Sequence, residues 1–168
     1  LIWVAGSASR VVLTVTAFTL AHSVTLALAV VGVLRVPVAW VESIIALSVL
    51  FLAVEVIKGP GARESLAWRY PVVVSGLFGL VHGLGFAVVL QEVGLPKDEL
   101  LVGLVGFNVG VEAGQVIFIF ILLTFLWSVR RIFASGAVVV PRVRQWSGYS
   151  VGTLSAMWLV DRVIAFAV

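Results

Sequence analysis

The sequence predicts an all-α fold, a polytopic bundle of transmembrane helices that forms one domain over residues 1–168. The first observation is composition: 62% of the residues are hydrophobic and 11% are charged, whereas a soluble domain is about half apolar and about a quarter charged. The mean hydropathy of +1.22 likewise indicates a membrane protein. The second is that the apolar residues form continuous runs of bilayer length, which disfavours a β-barrel with its short alternating strands.

Five apolar segments reach the roughly 17–25 residues that a spanning helix requires. In chain order they cover about residues 11–34, 38–57, 70–90, 100–129 and 146–167. Residues 1–6 are apolar but too short to span, and we interpret them as the tail of an upstream helix. The bundle is therefore expected to contain five complete spanning helices and the remnant of another.

Turn-forming residues separate these segments. Arg35 and Pro37 divide the first two helices, and the KGPG sequence at 58–61 ends the second. Pro71 suits the first turn of the third helix, where its missing N–H costs nothing. Asp98 is predicted to cap the start of the fourth helix.

The basic residues favour one side of the membrane. Alternate gaps between the segments contain eight Lys and Arg on one face and two on the other, Arg35 and Lys97. The positive-inside rule then predicts that the basic loops 58–69 and 130–144 are cytoplasmic and that the C-terminus is outside. Because the positive charge lies in these short gaps, the expected partner is the lipid bilayer and not nucleic acid.

The chain contains no cysteine, so disulfides and thiolate metal ligands are excluded. Any metal would be bound by nitrogen and oxygen ligands. The sequence contains no Ser-His-Asp set, phosphate loop or nucleotide fingerprint. We therefore do not expect an enzyme.

Three ionisable residues, His22, His82 and Glu112, lie near the middle of apolar segments. Ionisable side chains are costly in hydrocarbon, and by default they indicate a functional site that faces the bundle interior. The predicted topology places all three at a similar depth. They are our candidate metal ligands.

Other polar residues accompany them as a secondary polar site. Asn108, Glu112 and Gln115 follow i, i+4, i+7 spacing and so share one helix face. Thr19 and Ser23 flank the first histidine, where their hydroxyls can bond to backbone carbonyls or line a polar path.

Two glutamates lie on the second helix. Glu42, near the outer end, is either a ligand in a vestibule or a solvated carboxylate. Glu55, near the inner end, is predicted to be structural and to pair with Lys58.

Several kinds of chemistry fit the central residues. Imidazole, carboxylate and amide groups suit a divalent metal such as nickel, cobalt, zinc or copper. The same groups could relay protons, since histidine titrates near neutrality and the pKa of a desolvated glutamate shifts towards it. They could also form a packing network that holds the helices together.

Glycines at GxxxG spacing predict close helix packing. Gly79 and Gly83 have this spacing on the third helix, and Gly106, Gly110 and Gly114 repeat it on the fourth. Small residues allow helix backbones to approach one another in a membrane.

Four stretches resemble the HupE/UreJ family of small bacterial integral membrane proteins. They are VTAFTLAHSVTLAL at 15–28, VESIIALSVLFLAVE at 41–55, FGLVHGLGFA at 78–87 and GFNVGVEAGQ at 106–115. The resemblance covers about residues 1–129. It implies a multi-pass protein of the bacterial inner membrane that acts as a secondary permease for nickel or cobalt, associated with hydrogenase and urease maturation.

The resemblance also bears on the site. His22, His82 and Glu112 match polar positions of the family, whose further histidine and Asp-His pair would lie upstream of Leu1. We therefore expect a transporter for a divalent transition metal, without an ATPase of its own. The alternatives are a non-transporting accessory or metal-binding subunit, partnered by other membrane subunits or a homo-oligomer, and a membrane-embedded metalloenzyme with a substrate cavity.

Overall fold

The computed structural model describes residues 8–59, 65–93, 99–132 and 136–165, and within these ranges the chain is almost entirely helical and has no strand. The all-α prediction is confirmed for this part of the chain. The helices are α1 (Ala8–Val30), α2 (Val38–Lys58), the single turn α3 (Leu66–Arg69), α4 (Pro71–Val93), α5 (Leu100–Ile132) and α6 (Gly136–Ile164).

Most helix ends follow the predicted turn residues. α2 begins directly after Pro37 and ends at Lys58, where Gly59 takes a φ of 71°. That left-handed backbone favours glycine, because a Cβ would be strained there. Pro71 is the first residue of α4, as predicted. Asp98, the predicted cap of the following helix, lies outside the described residues.

The start of α6 differs from the prediction. The helix begins at Gly136 and not near residue 146, and Pro141 lies inside it. Arg142 and Arg144 are therefore helical, and Arg131 belongs to the end of α5, so the prediction of a basic loop over 130–144 is wrong for most of its length. Arginine is a good helix former, so a helix can continue past the point where its sequence stops being apolar.

Among the described residues, three helices are long and apolar enough to cross a membrane, over Ser9–Val30, Val38–Lys58 and Leu100–Val129. The apolar part of α4 that the structure describes, Pro71–Ala87, is shorter, and α6 is not among the three. The chain is thus a multi-pass membrane protein by its helices, but the predicted count of five spanning helices is not confirmed. Serine, glycine and charged residues lower the hydropathy of α6.

The helices associate mainly as two pairs. The most extensive contact joins α1 to α4, and the next joins α2 to α6. α1 and α4 run parallel, because Ser75 bonds to Thr14 near the start of both helices. α2 and α6 run antiparallel, because Gly148 near the start of α6 lies beside Ile57 near the end of α2.

The remaining contacts give the directions of the other helices. α2 and α4 run antiparallel, because Phe78 meets Phe51 whereas Gly85, later on α4, lies beside Ile45, earlier on α2. α5 lies antiparallel to α1, because Leu26 packs in one cluster with Leu104 whereas Thr16 meets Glu112. The starts of α1, α4 and α6 therefore lie at the same end of the bundle as the ends of α2 and α5. We call this the basic end; its described residues include Arg10, Lys58, Arg69, Arg131, Arg142 and Arg144.

The two glycine motifs have different surroundings. The prediction for α4 is confirmed: a Cβ at Gly79 or Gly83 would overlap the backbone of α1. No described residue lies within 4 Å of where a Cβ would be at Gly106, Gly110 or Gly114 on α5. The expected packing of these three against another helix is therefore not found within the described ranges.

Helix geometry explains the difference. Asn108 and Glu112 each lie two positions from the glycines on either side, and two residues correspond to about 200° around a helix. Because α5 turns its polar face to α1, its glycine face points the opposite way. Only 6% of the apolar part of α5 is buried, compared with 44% for α2.

Candidate functional site

The candidate site begins with the contact between the two helices that carry the histidines. Gly79 lies against the carbonyl oxygen of Phe18, and Gly83 lies against the carbonyl oxygen of His22 and the hydroxyl of Thr25. Any side chain at these glycines would separate the two backbones. The glycines therefore place His82, which lies between them and one position before Gly83, directly beside α1.

His22 is fully enclosed, with 1% of its surface exposed. Its ring stacks on Phe18 at 5.9 Å and on Phe107 at 6.1 Å, and it meets the edge of Phe86 at 5.5 Å. Each distance joins ring centroids and lies in the range of favourable aromatic contact. Three helices thus contribute to one aromatic pocket around this imidazole.

The hydrogen bond of His22 assigns its tautomer. Its Nδ1 lies 3.3 Å from Oδ1 of Asn108. The amide nitrogen of Asn108 donates to the carbonyl oxygen of Leu104 at 2.8 Å, which leaves Oδ1 to accept a bond. In a neutral imidazole Nδ1 is then the donor, and Nε2 carries the lone pair.

His82 has the same arrangement. Its Nδ1 lies 2.7 Å from the carbonyl oxygen of Phe78, one turn earlier on α4. A carbonyl oxygen can only accept, so Nδ1 donates and Nε2 again has the lone pair. The ring of Phe18 contacts both imidazoles, since it lies 5.3 Å from His82 in an edge-to-face arrangement.

The predicted polar face of α5 does contact α1. Besides the bond from Asn108, the hydroxyl of Thr16 donates to Oε1 of Glu112 at 3.4 Å, and that of Thr19 donates to Oε1 of Gln115 at 3.1 Å. All three polar residues of α5 therefore meet α1 through side chains. The i, i+4, i+7 spacing on α5 predicted this shared face.

The three candidate metal ligands are brought together only in part. The partner of Glu112, Thr16, precedes His22 by six residues, or about 9 Å along a helix. The carboxylate therefore bonds to α1 nearer the basic end than the imidazoles do. Among the described residues no three His, Asp or Glu side chains form a group that could hold a metal ion.

The other candidate residues are placed as follows. The hydroxyl of Ser23 donates to the carbonyl oxygen of Thr19 at 2.6 Å, the backbone bond that was one of its two predicted roles. Glu42 forms an ion pair with Arg162 at 3.2 Å between α2 and α6. It therefore joins these two helices, neither of which carries a histidine of the candidate site.

Glu55 is buried and pairs with Lys58 at 3.1 Å, as predicted. Its second oxygen accepts a hydrogen bond from Ser65, just before α3, and its backbone carbonyl accepts one from Trp68 at 3.3 Å. This group anchors α3 to the end of α2.

Sequence reasoning missed the aromatic pocket and Thr16. Phe18 precedes His22 by four residues and Phe86 follows His82 by four, so each lies one turn from its histidine. In a chain this rich in apolar residues such a spacing carries little signal. Thr16 has a clearer signal, because it lies one helical turn before Thr19, which was already a candidate for the polar site.

Comparison with known proteins supports the resemblance. The family model described as HupE / UreJ protein matches residues 1–162, which includes both histidines and the polar face of α5. No curated protein and no solved structure matches the chain. Because the match extends over nearly the whole sequence, this chain belongs to the HupE/UreJ family.

Proposed function

We propose that this protein is an integral membrane transporter for a divalent transition metal, with nickel or cobalt as the first candidates and zinc or copper as alternatives. One observation carries the proposal. His22 and His82 lie on touching helices beside the same phenylalanine, and each uses Nδ1 for an internal hydrogen bond. Both imidazoles are thereby left with the Nε2 lone pair that a metal ligand needs.

These internal bonds are the kind that support metal ligands. A ligating histidine usually donates its second N–H to a carbonyl or carboxylate, which fixes the tautomer and the ring orientation. Here Asn108 and the carbonyl of Phe78 accept those bonds. Imidazole suits nickel, cobalt, zinc and copper.

Glu112 supplies negative charge along the same interface. Its carboxylate bonds to Thr16 on the side of the histidines that faces the basic end. We assign it to charge compensation for a cation that moves along α1, and we assign Gln115, bonded to Thr19 between these levels, to a secondary oxygen ligand.

An incomplete ligand set agrees with a transported ion. Conduction requires a site that binds strongly enough for entry and weakly enough for release. Two imidazoles with oxygen groups further along the interface leave coordination positions to water. Such a set suits a passing cargo better than a permanently bound structural metal, which has all its positions filled by protein.

The proposed orientation follows from charge. The basic end would face the cytoplasm of a bacterial cell, with the protein in the inner membrane. The sequence has no ATP-binding motif, so transport would be passive or coupled to an ion gradient.

The test is metal binding and uptake by the full-length protein. We expect the purified protein to bind Ni²⁺ or Co²⁺, and His22→Ala and His82→Ala each to weaken binding by roughly tenfold or more. Ser155→Ala, which removes a buried hydroxyl from α6, is the matched control. No metal binding, or unchanged uptake by His82→Ala in cells depleted of other importers, would refute the proposal.

A second function is favoured by the glycine face of α5, which no described residue covers. In a non-transporting accessory subunit this face would receive a helix of another membrane protein. Stable co-purification with a large membrane enzyme, together with an absence of metal uptake, would establish that alternative.

A further inference from the structure

A cavity of about 410 Å³ lies between α1, α2, α5 and α6. On every one of these helices its lining residues lie between the middle of the bundle and the basic end, as Val11, Val56, Leu122 and Ser147 show. Its inner wall includes Phe18, the ring that contacts both histidines. The cavity thus extends from the candidate site towards the basic end.

The lining of the cavity is almost entirely hydrocarbon. Its polar side chains are Thr14, Gln115 and Ser147. The two hydroxyls already donate within their own helices, to the carbonyls of Arg10 at 2.6 Å and Arg144 at 2.7 Å. A water molecule needs two to four polar partners, so this space favours an apolar occupant.

A partly buried cation, Arg144, lies beside the cavity at the basic end. The guanidinium of Arg144 occupies the space where a Cβ of Gly59 would be, so glycine at the end of α2 makes room for it. Arg144 precedes the lining residue Ser147 by three positions, and Gly59 follows the lining residue Val56 by three. The guanidinium therefore lies about one turn beyond the lining of the cavity.

One guanidinium nitrogen of Arg144 has no partner within the described part of the chain. Its Nη1 is buried, and no hydrogen-bond acceptor for it is found among the described residues. A buried donor without an acceptor is costly. Arginine is suited to phosphate because its planar guanidinium can donate two parallel hydrogen bonds.

We propose that this region binds one anionic phospholipid, with an acyl chain in the cavity and the phosphate on Arg144. The apolar cavity matches the acyl chain of such a lipid, and the guanidinium of Arg144 matches its phosphate. The guanidinium lies nearer the basic end than the cavity does, as the headgroup of a lipid in the adjoining leaflet lies nearer the membrane surface than its acyl chain. Basic pockets between transmembrane helices recognise anionic headgroups in this way. The positive charge at the basic end favours an anionic headgroup over a zwitterionic one.

The headgroup contact is tested by lipid retention. The full-length protein would be purified from membranes that contain phosphatidylglycerol and phosphatidylethanolamine, and the co-purified lipids measured by mass spectrometry. We expect phosphatidylglycerol to be enriched and Arg144→Gln to reduce its retention roughly tenfold. Arg142→Gln is the matched control, because Arg142 is on the same helix but exposed, and it should retain the lipid.

The acyl-chain contact has its own variant. Val151 lines the cavity, and Val151→Phe would fill part of it. We expect this variant to lose bound phosphatidylglycerol, whereas Val160→Phe, at an exposed position beyond the cavity on α6, should keep it. Elution as a single peak in size-exclusion chromatography would show that both variants fold.

Several results would overturn the lipid site. These are an absence of retained lipid, equal retention of both lipid classes, equal losses in Arg144→Gln and Arg142→Gln, and full retention by Val151→Phe. Thermal stabilisation by inorganic phosphate as large as that by phosphatidylglycerol would also overturn it, because the acyl chain would then contribute nothing. Occupation of the cavity by a segment of the protein's own chain would appear as a folded protein without lipid.

Discussion

The glycines of α4 and α5 have the same spacing and opposite environments. Gly79 and Gly83 touch the backbone of α1, whereas no described residue approaches Gly106, Gly110 or Gly114. The spacing therefore indicates that a helix can be approached closely, but it does not identify what approaches it. On α4 the approach builds the histidine site; on α5 the polar residues build it, and the glycines face away.

The largest expected effect of a substitution is at the α1–α4 contact. A Cβ at Gly83 would overlap the carbonyl oxygen of His22, so we expect Gly83→Ala to lower the free energy of unfolding by about 1–3 kcal/mol, the usual cost of overpacking. Gly110→Ala should be neutral or stabilising, because alanine favours a helix by about 0.5–1 kcal/mol over glycine. Unfolding in mixed detergent micelles measures both variants.

Equal destabilisation by the two substitutions would show that Gly110 is packed as closely as Gly83, and it would contradict the difference between α4 and α5. A stable Gly83→Ala protein would show instead that α1 and α4 can separate without cost.

The next effect concerns the polar face of α5. Asn108 accepts the hydrogen bond that orients His22, and removal of such a supporting group typically costs about 10–100-fold in metal affinity. We expect Asn108→Ala to lose Ni²⁺ affinity by an amount in this range, while Val109→Ala, at the next and exposed position, has little effect. Calorimetric titration of the purified full-length protein compares them.

Because the loss in Asn108→Ala is attributed to imidazole orientation, Asn108→Asp should recover part of the affinity, since a carboxylate also accepts this bond. Failure of both variants, with intact folding, would mean that acceptance of the His22 hydrogen bond does not explain the loss of affinity.

The smallest effect on stability, and the sharpest test of the open face, comes from Gly110→Ile. No described residue lies near this position, so we expect little change in the stability of one chain. If a second copy or another subunit covers the face, a branched side chain would prevent its approach. Crosslinking in membranes would then show loss of the complex in Gly110→Ile and its retention in Val116→Ala, a change at an exposed position further along the helix.

Local signals in the sequence predicted much of the fold. Pro71 marked the start of α4, because proline fixes φ and has no N–H to donate. Gly59 marked the end of α2, because glycine tolerates the positive φ found there. The pairing of Glu55 with Lys58 was also predictable, since residues three positions apart are neighbours on the surface of a helix. The spacing of Asn108, Glu112 and Gln115 correctly predicted that they share one face.

What the sequence could not provide depends on contacts between helices. Which residues of α1 meet Asn108, Glu112 and Gln115 depends on how α5 is placed along α1, and no residue pattern within either helix encodes that placement. The start of α6 at Gly136 was not predicted, because hydropathy identifies the part of a helix that lies in hydrocarbon and not the residue at which the helix begins. The partner of Glu42 lies on another helix, 120 positions later at Arg162.

The parallel pairing of α1 and α4 has a consequence for biogenesis. Thr14 and Ser75, which bond to each other, are 61 positions apart, and α2 lies between them in the chain. During synthesis α1 therefore enters the membrane with Thr14, Thr19 and His22 still without the helix that buries them. Chains that stop before α4 present this polar stripe to lipid or to the insertion machinery. The histidine helix thus depends for its placement on a segment that the ribosome has not yet made.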